Sequence, residues 1–292
     1  MGVSAGVLIL SYYSVIAGWT ITYIPKAFLG EFVGTDAISI SKLFDDFVAN
    51  PVSVILAHTI FMAINYFIIA SGVKGLEKAV RFLMPGLLLL LFILFIYSLT
   101  SGSFMDGVKF MFTPNFNALN WDGVLTAMGL ACFTLSIGMG AIMAYGAYLP
   151  QETSITNATV SVVIADTGIA MLAGLVIFPL VFANGLNPGE GPDLVFKTLP
   201  LVFGQMQVGV FLATIFFVLL SFAALTSALG LMEPAVAWMV ESTEYNRKQC
   251  AATIASIIWF LGLGTALSFN TMADFKFLNG TIYENVDFLT SN

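Results

Sequence analysis

Phe133-Thr134-Leu135-Ser136-Ile137-Gly138-Met139-Gly140 interrupts a segment, Gly123 to Tyr148, that is otherwise apolar and long enough to cross a bilayer. Peptide groups outside a helical ladder cost several kcal/mol each in lipid, so they persist only where protein or a watery cavity supplies partners. Two hydroxyls beside two helix-weakening glycines point to a helix unwound at that depth. A Gly-rich packing seam between continuous helices uses the same residue types and stays open as the second reading. Interrupted helices at the membrane midplane commonly build sites for ions and small solutes.

Working outward, composition sets the solvent of the whole chain. Of 292 residues, 59% are hydrophobic and 9% charged, with a mean hydropathy of +0.95; soluble domains carry about 25% charged residues. Lipid is therefore the medium, and a multi-pass protein of the cell (plasma) membrane is expected. A net charge of −7 argues against a nucleic-acid partner, which calls for basic patches. Cys132 and Cys250 both lie in apolar spans and form no disulfide framework. Met1-Gly2-Val3-Ser4 lacks the basic region of a signal peptide, and Gly6 stands where a myristoylation pattern needs Ser or Thr.

The pattern predicts an all-α integral membrane protein of seven spans and the start of an eighth, in a single domain, 1–292. The spans are 3–27, 53–71, 82–99, 123–148, 158–183, 208–240 and 250–269, and Val286-Asp287-Phe288-Leu289 reads as the opening of the next. Lys74, Lys78 and Arg81 crowd one tight connection and Arg247 and Lys248 another, which marks that side as cytoplasmic. The longer loops 28–52, 100–120 and 184–206 then lie outside. The sequons at Asn157 and Asn279 read as chance matches, since Asn157 falls on the cytoplasmic side.

Polar groups inside the spans carry the chemistry. Asp166 is the only acid in its apolar segment and costs about 2.5–3.5 kcal/mol at mid-helix on insertion scales. A bound cation and a protonated carboxyl hydrogen-bonded inside the bundle both satisfy it. Glu233, beside Pro234, reads as structural or pathway-lining. His58 reads as a packing histidine. Ala223, Thr226 and Ser227 share one helix face; two hydroxyls and a carbonyl suit a hard cation, and a small-residue helix contact uses the same types. Ile9 and Tyr13 lie on one face of the first span, with Gly6 a turn below.

Taken in order, Ser11-Tyr12-Tyr13 with Trp19, the stretch Phe133 to Gly140 running on to Tyr145 and Tyr148, and Ala223-Ala224-Leu225-Thr226-Ser227 resemble the sodium:neurotransmitter symporter family. The likeness is nearest to its bacterial sodium-dependent amino-acid transporters and covers essentially the whole chain, as family helices three to the start of ten. It implies an inverted-repeat bundle of the leucine-transporter type, truncated at both ends. It also implies sodium-coupled symport of a hydrophobic or aromatic L-amino acid by alternating access.

By that resemblance Tyr13 bonds the substrate carboxylate, with Ile9 beside it, and Phe133 forms an aromatic lid. Ser136, Met139 and Leu231 line the pocket. Thr134 matches a ligand of the first sodium, and Asp166 stands where the family usually has an asparagine ligand. Ala223 through its carbonyl, Thr226 and Ser227 match the second sodium site. Tyr148 and Glu241 resemble inner-gate members and Asp287 an outer-gate acid. Leu130 and Ala170 replace chloride ligands, so no chloride requirement is expected. The family's first two helices and everything past the opening of the tenth have no counterpart here, so the chain alone is not expected to transport. A channel-like bundle and a non-transporting membrane fragment stay open. An enzyme is not expected, because no nucleophile–base pair, metal-ligand cluster or phosphate loop is present.

Overall fold

In lipid every peptide group must bond within its own segment or be enclosed, so the apolar runs of this chain fold as helices. The computed structural model describes residues 2–116, 119–186, 191–278 and 280–291; the Asn279 sequon lies outside them. The helices are α1 (Gly2–Phe28), α2 (Ala37–Ala49), α3 (Pro51–Ala70), α4 (Val73–Leu99), α5 (Phe104–Phe112), α6 (Trp121–Thr134), α7 (Ala141–Ala147) and α8 (Ile155–Ala183). Then come α9 (Gly191–Asp193), a π-helical turn (Leu194–Thr198), α10 (Leu199–Gly204), α11 (Gly209–Ser242), α12 (Arg247–Leu267) and α13 (Ile282–Ser291). Among the described residues the only β feature is a single bridge between Phe277 and Gly280.

Among the described residues six helices, α1, α3, α4, α8, α11 and α12, are long and apolar enough to cross a membrane. The remaining expected span, the fourth, is the interrupted one, divided between α6 and α7, each too short to cross alone. One boundary differs by more than a turn. The third span was expected from residue 82, yet α4 begins at Val73, so Lys74, Lys78 and Arg81 sit on its first turns and not in a loop. Lys, Glu and Arg are good helix formers, and Glu77 pairs with Arg81 one turn on. The three long connections also carry helices. α2 is capped by the Asp36 carboxylate on Ser39 and buries Ile40, Phe44 and Val48.

The centre of the molecule is the pair α1 and α11. They run antiparallel, with Gly6 against Leu231 and Thr20 against Ser221. Near one end Trp19, fully buried, meets Phe44 of α2, Phe196 of the π turn and Phe269 edge-on at 5.5, 5.6 and 5.1 Å. This ties the outer connections to the pair. α3 and α12 pack on the other face of α1. α8 packs through its second half, burying Val176, Pro179, Leu180 and Val181, whereas its first half is largely exposed.

The α1–α3 seam is set by close backbone approach. A Cβ on Gly18 would stand 2.7 Å from the Ala57 carbonyl and 2.9 Å from the His58 nitrogen, closer than side-chain atoms pack. Gly18→Ala is therefore expected to cost about 1–3 kcal/mol of stability through forced backbone movement. Gly129→Ala meets nothing within 4 Å and, being inside α6, is expected to cause no loss. Thermal unfolding of the two variants in detergent measures the contrast; equal behaviour would contradict this packing.

Candidate functional site

α6 ends in a full C-terminal wrap. The Ile137 amide donates to the Cys132 carbonyl at 2.9 Å and the Ser136 amide to the Phe133 carbonyl at 3.0 Å. Between them Ser136 takes φ +54. This is the Schellman arrangement, which usually places Gly at the left-handed position. A serine there is strained, at about 1–2 kcal/mol. Gly138 and Gly140 follow at φ +84 and +82, conformations that need no Cβ. Helical bonding resumes only when the Ala144 amide reaches the Gly140 carbonyl. Among the described residues the amides of 138 to 143 have no backbone acceptor.

The interruption lies on the α1–α11 pair. A Cβ on Gly2 would meet the Gly138 carbonyl at 2.8 Å, and one on Gly6 the Leu231 and Met139 carbonyls at 3.1 and 3.4 Å. Gly140 faces Pro234 of α11 at 3.3 Å by the same measure. Small residues at these positions let three backbones converge. Ile9, Met139 and Leu231 belong to one buried apolar cluster, and Tyr13 packs against it. Ser136 is half-buried and Phe133 is 37% exposed, outside that cluster.

The expected cation ligands divide into two groups. The Thr226 hydroxyl lies 2.9 Å from the Ala223 carbonyl, so both oxygens fit around one hard cation at about 2.4 Å from each. Ser227, one residue on, lies beside the Tyr13 side chain, close enough to influence its phenol. The structure thus brings a residue of the expected carboxylate contact near one of the expected ion contact. Thr134 and Asp166 are not joined. The Thr134 hydroxyl turns back on the Ala131 carbonyl at 3.3 Å. Asp166 is half-exposed on the unpacked first half of α8 and has no hydrogen-bond or ion-pair partner among the described residues.

A third cluster was not foreseen as such. Glu233 is fully buried, and its two oxygens accept from Tyr148 at 2.6 Å and Arg247 at 2.5 Å. Arg247 Nε also donates to the Ile69 carbonyl at 3.0 Å. One guanidinium thereby ties the ends of α3, α11 and α12 to the turn after α7. Of the two expected inner-gate members, Tyr148 bonds Glu233 and Glu241 is exposed. Asp287 lies on α13, one turn after Tyr283. The signal for the Glu233 cluster was present: an acid at membrane depth demands a cation, and Arg247 opens the next helix.

Removing one member of a buried ion pair strands the other. Glu233→Ala is expected to cost about 3 kcal/mol, near the low end of the range for buried pairs because Arg247 keeps 22% exposure. Tyr148→Phe is expected to cost about 1.5 kcal/mol. The double change Glu233→Leu with Arg247→Met should cost less than the two single changes together. Unfolding midpoints in detergent measure all of these; additive costs would contradict the pairing.

The family model for the sodium:neurotransmitter symporter family matches residues 29–279. A sodium-dependent transporter of Bacillus subtilis is 38% identical over 293 residues, covering 100% of this chain and 65% of its own length. Another, of Haemophilus influenzae, is 32% identical over 298 residues with the same two shares, 100% and 65%. The crystal structure of MhsT in complex with L-phenylalanine superposes with a TM-score of 0.90 at 42% identity, covering 100% of this chain and 67% of that one. The chain thus spans about 65% of the length of the two sequence relatives it matches. With six apolar helices among the described residues, and with a likeness to MhsT over all of this chain and a family model over most of it, this multi-pass membrane protein belongs to the sodium:neurotransmitter symporter family, a family of transporters and not of enzymes.

Proposed function

We propose that the chain forms the substrate- and sodium-binding part of a symporter that carries a hydrophobic or aromatic L-amino acid across the cell membrane. The observation that carries this reading is the interruption at 135–140, with the amides of 138 to 143 without backbone acceptors among the described residues, seated on the helix pair that brings Tyr13 near Ser227. Free amides and a phenol suit a carboxylate. Ile9, Met139 and Leu231 make the adjoining wall apolar, and methionine adapts to varied side chains. Phe133, exposed beside the break, is suited to close over a bound side chain. The phenylalanine held by MhsT, 42% identical, agrees in chemistry.

In this proposal the Ala223 carbonyl and the Thr226 and Ser227 hydroxyls hold one sodium ion. Thr134 and Asp166 contribute to another, the acid giving fixed charge near Ala170 that replaces a chloride requirement. Sodium bound beside the amino acid favours the occluded state because it binds that state better, and release follows when the gates rearrange. The Tyr148–Glu233–Arg247 cluster closes the basic end, with Glu241 at its rim and Asp287 at the opposite mouth.

The test is a chimera in which this chain replaces the matching segment of the full-length Bacillus subtilis relative, reconstituted in liposomes. Uptake of L-phenylalanine or L-leucine is expected only with an inward sodium gradient. Thr226→Ala with Ser227→Ala should raise the sodium half-saturation at least about tenfold, equivalent to ~1.4 kcal/mol. Sodium-independent uptake, or preference for a charged amino acid, would contradict the reading. Replacing chloride by gluconate should leave uptake unchanged; its abolition would remove the role given to Asp166.

A further inference from the structure

Two turns beyond Tyr13, Thr20 meets Ser221 across the α1–α11 interface with their hydroxyl oxygens 2.9 Å apart, both 4% exposed. Thr20 Oγ1 also donates to the Ala17 carbonyl at 2.7 Å. A hydroxyl has one hydrogen, so Ser221 is the donor of the shared bond and Thr20 its acceptor. The pair is therefore a directed chain, Ser221 to Thr20 to Ala17. At the other end of the interface Gly6 fits against the Leu231 carbonyl. Tyr13 and Ser227 sit between these two contacts, one polar and one steric.

Lipid gives helices no hydrophobic reason to choose one register over another; small-residue packing and interhelical hydrogen bonds make the choice. Gly6 sets how closely the helices approach, but a glycine contact resists sliding weakly because it offers no directional bond. Thr20 and Ser221 supply direction. We propose that this hydroxyl pair is a register clamp that positions Tyr13 against Ser227 and so tunes sodium binding without touching the ion. Thr20 and Ser221 are positioning residues. The inference rests on the reading of Tyr13 and Ser227 as substrate and sodium contacts.

When Thr20 is replaced by Val, similar in shape, Ser221 can fall back on a carbonyl of its own helix, so the protein should still assemble. In the chimera, Thr20→Val and Ser221→Ala are each expected to raise the sodium half-saturation of L-phenylalanine binding about threefold, the size of an average interhelical hydrogen bond. Substrate affinity at saturating sodium should fall by no more than the same factor, because Tyr13 is itself a substrate contact. The double variant should be no worse than either single one, and Thr20→Ser should bind sodium like the parent. An unchanged sodium requirement in Thr20→Val, an additive double variant or failure of Thr20→Ser overturns the clamp. A parent chimera that binds no substrate in sodium sinks the functional reading instead. The clamp is then decided by unfolding midpoints: Thr20→Val and Tyr13→Phe should be non-additive, and additivity overturns it.

Discussion

A peptide group in hydrocarbon must have a partner, and the rest of this structure follows from how that demand is met at residues 135–140. Elsewhere the helical ladder meets it. At the interruption the ladder stops, the Schellman wrap satisfies the carbonyls of Cys132 and Phe133, and the amides that follow are left for something else. Such backbone is tolerated only where it is buried in protein or lines a cavity. α1 and α11 supply the burial: Gly2, Gly6 and Pro234 press against Gly138 to Gly140. Gly138 and Gly140 permit the break, Gly2 and Gly6 permit the approach, and an α1 with larger residues would hold the break away from α11.

Two kinds of polar contact then divide the labour along α11. Towards its middle the hydroxyls of Ser221 and Thr226 make weak neutral bonds, to Thr20 and the Ala223 carbonyl, and Ser227 lies beside Tyr13. Each is easily exchanged for an ion or a small solute. At the basic end Glu233 and Arg247 make a charged pair that is expensive to separate. A symporter needs this gradation, with exchangeable ligands at the site and a firm but breakable closure at one end. Pro234 directly follows Glu233, inside a helix of 34 residues, and removes the ladder bond to the Gly230 carbonyl, which lies between the two zones.

Much of this was legible in the chain because membrane segments obey so few rules. The apolar runs, the interruption and the shared face of Ala223, Thr226 and Ser227 all follow from local pattern. Ile9, Met139 and Leu231 were grouped through resemblance and meet in one cluster. What escaped depends on distance or on a competing local rule. Thr20 and Ser221 are 201 positions apart, and no periodicity links them. Arg247 marked a cytoplasmic turn, which hid its reach back to Glu233. The start of α4 was placed too late because charge was taken as a boundary, although Lys, Glu and Arg extend a helix readily. α2 was read as loop, yet the Asp36 cap and the spacing of Ile40, Phe44 and Val48 were in view. Thr134 and Asp166, paired by resemblance, are joined by no hydrogen bond among the described residues, and the Thr134 hydroxyl turns back on its own helix.

The most direct test of this view is amide hydrogen exchange across 130–148 in the chimera, held in lipid nanodiscs. If 138 to 143 are open peptide groups awaiting a ligand, their amides exchange quickly in potassium. They should become protected when sodium and L-phenylalanine are added together, while 124 to 132 stay protected throughout. Uniform slow exchange from 130 to 148 in both conditions would mean an unbroken helix, and the account of the site would fall with it.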